Sequence, residues 1–189
     1  MKDLTCVVVG GGHAGIYAAQ AISQESQKHG RRIQVTLIDK QPYHVRKVLL
    51  FKPAVEAEDI TVPWGRILPD GIRFVQGMVR SVESGEKFLL YVDEAGDECR
   101  MDYDMLVVAA GSVVRQPHRD QGGIALTDKE AAVRIRKRWN KNLRIAARET
   151  DAQERERLLT VAVVGRASAG SRPQQSLLAR CGSKQKRWE

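Results

Sequence analysis

The chain has 189 residues, enough for one ordinary domain or for one domain and the beginning of another. With 42% apolar and 29% charged residues its composition excludes a disordered chain, and no apolar run approaches the ~20 residues of a membrane-spanning helix. The net charge of +8 invites a nucleic-acid partner, but the excess sits in one segment from Arg134 to Arg148 and in a tail with Lys184, Lys186 and Arg187, with no nucleic-acid fold signature around either; a solvated helix face and a basic tail are favoured.

The N-terminus, MKDLTCVVVGGG, passes straight into a strand without the features of a secretory signal, which predicts a cytoplasmic location. Val7 to Val9 are an apolar strand, Gly10, Gly11 and Gly12 a turn, and AGIYAAQAI a helix by its apolar spacing. QVTLID then supplies a second buried parallel strand ending at Asp39. Residues 40–69 carry Pro42, Pro53, Pro63 and Pro69 and are expected to be a loop-rich connection, with a helical turn or two over Val45 to Phe51. From Ile72 onward, short alternating runs separated by Ser84-Gly85-Glu86 and Ala95-Gly96-Asp97 read as a small antiparallel meander, followed by a buried parallel strand from Met105 to Ala109. Thr127 and Glu130 have capping-box spacing and open a long basic helix to about Arg148, with Ala131, Ile135, Trp139 and Leu143 along one side. LLTVAVVG, Leu158 to Gly165, repeats the strand-to-glycine pattern of the N-terminus and predicts the first strand of a second nucleotide-binding unit. The fold expected is α/β, a Rossmann-like domain with a parallel sheet and a small antiparallel meander, incomplete at its C-terminal end.

The chemistry concentrates in the first turn. Gly10, Gly12 and Gly15 have G-x-G-x-x-G spacing: the first permits the tight turn, the second admits a pyrophosphate close to the backbone, and the third lets helix and strand pack closely. The pyrophosphate would lie on the unpaired N–H groups at the positive end of the helix. Asp39, at the end of the next strand, stands where an acid accepts hydrogen bonds from a ribose 2′-OH. Strand, helix, second strand and acid are in register, which favours nucleotide binding over an ordinary turn into a helix. His13 and Tyr17 need no functional explanation, as occupants of a variable loop position and a first helical turn. Cys6, Cys99 and Cys181 form no C-x-x-C pair and the four histidines have no ligand spacing, so neither a thiol redox centre nor a metal site is expected.

In order along the chain, VVVGGGHAG, VTLIDKQPYH, FVQGMVRSV, YDMLVVAAGS and LLTVAVVG resemble the FAD-dependent pyridine-nucleotide oxidoreductases, in particular the type II NADH dehydrogenase and apoptosis-inducing-factor-like branch. The resemblance spans residues 4 to about 165. It implies FAD contacts at Gly10, Gly12, Gly15, Asp39, Lys40, Val79, Ala110 and Gly111: a strand around Gly77 to Val79 would meet adenine through its backbone, and the segment after Tyr103-Asp104 would return to the flavin. Two departures stand out. Ala109-Ala110-Gly111 replaces the family's usual Ala-Thr-Gly, leaving only backbone for any contact there, and the stretch from Val113 to Gly123 is short.

The resemblance divides the chain into an FAD-binding domain over residues 1–125, a basic connecting helix over 126–157, the first strand of an NAD(P)-binding domain over 158–165 and an irregular tail over 166–189. In the tail, Gly165, Ala167 and Gly170 miss the glycine spacing and Pro173 falls where a helix should run, so no second nucleotide pocket is expected. One allowed codon choice, read two nucleotides out of frame, encodes a glycine turn and a helix-forming run here. A frameshifted end and a divergent disordered tail are the two readings. The function implied is the FAD-holding portion of an NAD(P)H-dependent oxidoreductase that passes hydride from NAD(P)H to FAD and electrons to a quinone or small redox protein, this chain alone being inactive. A non-catalytic FAD- or nucleotide-binding module is the alternative, and nucleic-acid binding through the basic helix a third. Peripheral membrane contact would belong to a longer form only.

Overall fold

A computed structural model of the chain describes residues 3–112, 122–163 and the backbone of 177–179. β1 (Leu4–Val9) can be apolar without a break from Cys6 to Val9 because both of its faces are covered. Cys6 and Val8 pack in one layer with Ile16 and Ala19 of α1 (His13–Lys28) and with Val35 and Leu37 of β2 (Ile33–Asp39). Val7 and Val9 face the other way, towards Ile38, Leu89 and Tyr103. The period-2 alternation of each strand thus feeds two cores. Each fully buried Val or Leu contributes about 1.5–3 kcal/mol.

α1 turns its buried stripe, Gly15, Ile16, Ala19, Ser23 and Ser26, onto the sheet at helical spacing. At its far end the Ser26 hydroxyl donates to the Arg31 carbonyl and accepts the Ile33 N–H, which fastens the return into β2.

The connection that follows is more ordered than its prolines suggest. β3 (Tyr43–Val45) pairs antiparallel with β4 (Thr61–Pro63), and between them lie a 3₁₀ turn, Lys47–Leu49, and α2 (Phe51–Val55); a second 3₁₀ turn, Trp64–Arg66, follows β4. The helical turns expected over Val45 to Phe51 therefore extend to Val55. Pro53 is tolerated because it lies in the first turn of α2, where its missing N–H has no partner to lose.

β5 (Ile72–Glu83) pairs parallel with β2, then antiparallel with β6 (Phe88–Asp93), which pairs with β7 (Glu98–Asp102). The meander is thus continuous with the parallel sheet. β8 (Met105–Val108) lies parallel to β1 on its other side, giving the order β7-β6-β5-β2-β1-β8. Tyr103 and Asp104 seat it: the Asp104 carboxylate accepts from the Thr5 N–H at 2.8 Å and the Thr5 hydroxyl at 3.0 Å. Strand order reverses between β1 and β8, the place at which open α/β sheets form a crevice at the carboxyl ends of their strands.

The basic segment folds as two helices, α3 (Lys129–Ala146) and α4 (Ala152–Leu159). The N-cap of α3 is Asp128, one residue later than the capping-box spacing predicts: its carboxylate accepts the Ala131 N–H at 2.7 Å, while Thr127 donates to that carboxylate. An ionised carboxylate outcompetes a neutral hydroxyl for that backbone donor. Lys129 pairs with Asp59 at 3.1 Å, and that ammonium, followed by the Thr61 N–H, holds the Asp59 carboxyl below its ordinary value.

Leu158 and Leu159 are the end of α4, and the strand begins only at Val161. β9 (Val161–Val163) pairs antiparallel with β10 (Leu177–Ala179), which lies inside the stretch expected to be irregular. Of the segment from Val113 to Gly123, residues 113–121 lie outside the described residues, as do Gly165, Ala167, Gly170 and Pro173. Among the described residues no helix is long and apolar enough to cross a membrane, and no cluster of three metal-ligating side chains occurs.

The hydrogen bond from Thr127, then the one from the Ala131 N–H, lowers the Asp128 pKa. A depressed folded-state pKa contributes stability that is complete above the unfolded value and lost as pH falls through the folded one. Asp128→Ala is therefore expected to cost about 0.5–2 kcal/mol at neutral pH and to flatten this component of the acid side of the stability curve, measured by urea unfolding between pH 7 and pH 3.

Candidate nucleotide site

The glycine turn sits at the crevice, and its three motif glycines have different reasons to be glycine. Gly10 has φ +104°, and a Cβ there would lie 2.4 Å from the Ala109 carbonyl oxygen. A Cβ on Gly15 would lie 1.8 Å from the Gly10 carbonyl oxygen. Both positions are therefore glycine for the fold's own sake. Gly12 is different. As the N-cap of α1 it has φ −74°, which any residue adopts, and a Cβ built on it meets nothing within 4 Å. Among the described residues neither backbone strain nor packing calls for glycine there, and the space in front of it is open.

The intervening Gly11 is held from three sides. Its N–H donates to Asp39 Oδ2 at 2.6 Å, and its carbonyl oxygen accepts from His44 Nδ1 at 2.9 Å. A Cβ on it would strike the Trp64 ring at 2.2 Å. Trp64 is 5% exposed, stacks on Phe74 with centroids 5.0 Å apart, and donates its Nε1–H to the Gln41 carbonyl at 2.9 Å. Asp39 Oδ1 accepts the Gln41 N–H at 2.8 Å. The strand-end acid therefore ties the glycine turn to the start of the β2–β3 connection, and Trp64 closes the space beneath.

His44 and Trp64 were not among the residues expected at the site. The signal available was a tryptophan in a proline-rich stretch, since so large a ring is usually buried with its N–H satisfied. His13 also has a neighbour, its ring lying edge-on to His44 with centroids 5.2 Å apart. Tyr17 stays exposed.

Of the other expected contacts, Ala110 and Gly111 follow β8 directly onto the turn: the Ala109 N–H donates to the Val9 carbonyl at 2.7 Å, and Gly111 is exposed with φ +77°. Lys40 is exposed beside Asp39. Val79 lies further along β5. The ladder between β2 and β5 ends with Asp39 opposite Gln76, so from Gly77 onward that edge of β5 has no strand beside it among the described residues. Gly10, Gly12, Gly15, Asp39, Lys40, Ala110 and Gly111 thus gather at the carboxyl ends of β1, β2 and β8, with Val79 on the free edge beyond. The α1 N-terminus adds positive potential: its first turn has no acidic residue and no side-chain cap, whereas α3 and α4 are capped by Asp128 and Asp151.

Comparison with known proteins matches residues 4–171 to a family described as pyridine nucleotide-disulphide oxidoreductase. The fold is similar to that of NDH2 from Plasmodium falciparum in complex with NADH, at 18% identity and a TM-score of 0.65 over 82% of this chain and 32% of that one. A second NDH2 structure from the same organism, in complex with RYL-552, gives 18% identity and a TM-score of 0.67 over 84% and 33%. The sulfide:quinone oxidoreductase of the hyperthermophilic bacterium Aquifex aeolicus gives 24% identity and a TM-score of 0.62 over 75% and 32%. The chain thus spans about a third of the length of these structures. No curated protein matches the sequence.

The different grounds for Gly10 and Gly12 can be separated by stability alone. Gly10→Ala is expected to destabilise the chain by about 1–3 kcal/mol through overpacking and a disfavoured φ, and Gly12→Ala to stay within about 0.5 kcal/mol of wild type, both read from urea unfolding midpoints without ligand. Equal losses at the two positions would refute the distinction.

Proposed function

The chain belongs to the pyridine nucleotide-disulphide oxidoreductase family, and on that premise we propose that it holds FAD across the carboxyl ends of its parallel strands, as the flavin-holding part of an NAD(P)H-dependent oxidoreductase. The observation that carries this reading is Gly12. It opens α1, faces open space and has no reason among the described residues to lack a side chain, which suits a pyrophosphate brought against the backbone.

The residues present fit that cofactor. Gly10, Gly12 and Gly15 would form the pyrophosphate turn. Asp39 gives one oxygen to the Gly11 N–H and the other to the Gln41 N–H, and an ionised carboxylate with about four lone-pair sites keeps acceptor capacity for a ribose hydroxyl. Lys40 stands next to that acid. Val79 and its neighbours on the free edge of β5 would offer backbone groups to adenine, and Ala110 and Gly111 would offer backbone groups towards the flavin. FAD, when bound, supplies the capacity to accept hydride and pass electrons on, while the protein contributes position and electrostatics.

A quinone or a small redox protein as final acceptor is supported by the resemblance to the type II NADH dehydrogenase branch. The sulfide:quinone oxidoreductase among the similar folds is in keeping with it. Hydride transfer also needs a nicotinamide held about 3–3.5 Å from the flavin. A module that binds FAD without turnover is the second reading, and the sequence favours it through the missing glycine spacing at Gly165, Ala167 and Gly170.

Fluorescence titration tests the binding half. Wild type should bind FAD and ADP, Gly12→Val should weaken both by about tenfold or more, and Asp39→Ala should weaken ADP binding at least several-fold, the loss of a charge-assisted contact being worth about 1.5–3 kcal/mol. Unchanged affinities in folded variants would remove the nucleotide from this loop. For turnover, the purified chain supplied with FAD is expected to oxidise NADH with quinone or ferricyanide no faster than free flavin does. Saturable NADH oxidation above that background would show instead that this chain holds the nicotinamide as well.

A further inference from the structure

We propose that His44 is a positioning residue for the dinucleotide: its Nδ1–H, by holding the Gly11 carbonyl, turns the Gly12 N–H towards the pyrophosphate. The inference rests on the FAD reading of the same loop.

Three consecutive glycines have no side chains with which to order themselves, and glycine loses more backbone freedom on folding than any other residue. The order of residues 10–12 must come from neighbours. On one side of Gly11 the N–H is taken by Asp39; on the other the carbonyl is taken by His44 at 2.9 Å. A carbonyl oxygen can only accept, so Nδ1 carries the proton and a neutral ring leaves Nε2 bare. In a trans peptide the C=O and N–H point in opposite directions, and the chain has no cis bonds among its described residues. Drawing the Gly11 oxygen to the buried His44 ring therefore aims the Gly12 N–H away from that ring, on a residue whose own Cβ position meets nothing among the described residues.

The ring cannot readily turn. It is 6% exposed, with His13 edge-on at 5.2 Å and Trp64 at 6.0 Å between centroids, and Trp64 is itself stacked and hydrogen-bonded. Asp39 reaches the same glycine from the other peptide, so the two residues fix the two peptide planes of Gly11 between them.

Two variants of the 189-residue chain separate orientation from bulk. Asn places an N–H donor the same number of bonds from Cα as Nδ1, while Leu fills the space without a donor. ADP and FAD affinity should fall about tenfold in His44→Leu and stay within about threefold of wild type in His44→Asn. A ¹⁵N spectrum of the ligand-free wild type should show a proton on His44 Nδ1. Equal affinity in wild type and His44→Leu, equal weakening in both variants, or a bare Nδ1 in the spectrum would overturn the inference. If His44→Leu does not fold, His44→Asn and the spectrum still decide. Failure of wild type to bind FAD or ADP would overturn the function proposed above, whereas a bare Nδ1 beside normal FAD binding would overturn this assignment alone.

Discussion

Gly15 lies so close to the Gly10 carbonyl oxygen that a Cβ there would be 1.8 Å from it, and that backbone approach sets how α1 leaves β1. With the helix start pressed onto the end of the strand, its next turns bring Ile16 and Ala19 down on Cys6, Val8, Val35 and Leu37, which forms one of the two cores. The same approach places the free N–H groups of the α1 N-terminus at the carboxyl ends of the parallel strands. Core and site therefore share one constraint. A side chain at Gly15 would lift the helix and disturb both.

The turn itself is shaped from outside. Between Gly10, whose φ of +104° and contact with Ala109 are demanded by the fold, and Gly12, whose surroundings demand nothing, Gly11 is held by an acid, a histidine and a tryptophan. Asp39 comes from the strand end. His44 and Trp64 come from a connection whose prolines suggest mostly loop, with a helical turn or two. That connection orders itself by a two-stranded ribbon and two 3₁₀ turns, and by doing so puts a stacked, hydrogen-bonded indole directly under a peptide that has no side chain of its own. Its value to the site lies in that rigidity.

The sequence makes some of this legible and conceals the rest for physical reasons. The glycine spacing, the strand-end acid and the apolar strands are local patterns of known period, and the structure brings Gly10, Gly12, Gly15 and Asp39 together as their order suggests. His44 and Trp64 act on partners 33 and 23 residues away in sequence, and no local pattern encodes such a contact. The α3 cap slipped by one residue because Thr127 and Asp128 are adjacent and both can cap. Leu158 and Leu159 belong to α4 because a short apolar run satisfies helix and strand alike.

The same limit hid the double role of β5, which bears on the far end of the proposed site. β5 pairs with β2 from Ile72 to Gln76 and with β6 from Gly77 to Glu83, so it changes partner at one point. Gly77 permits the change: a Cβ there would lie 2.4 Å from the Tyr91 ring across the ladder. The irregularity between Val79 and Ser81 then adds local twist. Because Gln76 is the partner of Asp39, the free edge of β5 begins one residue past the acid. The spacing between Asp39, the proposed ribose acceptor, and a bare backbone edge is thus written into strand register rather than into any motif. A one-residue slip of β5 against β2 would separate the two and also turn the Ile72 side chain out of its core, so burial of that side chain protects the site geometry as well as the fold.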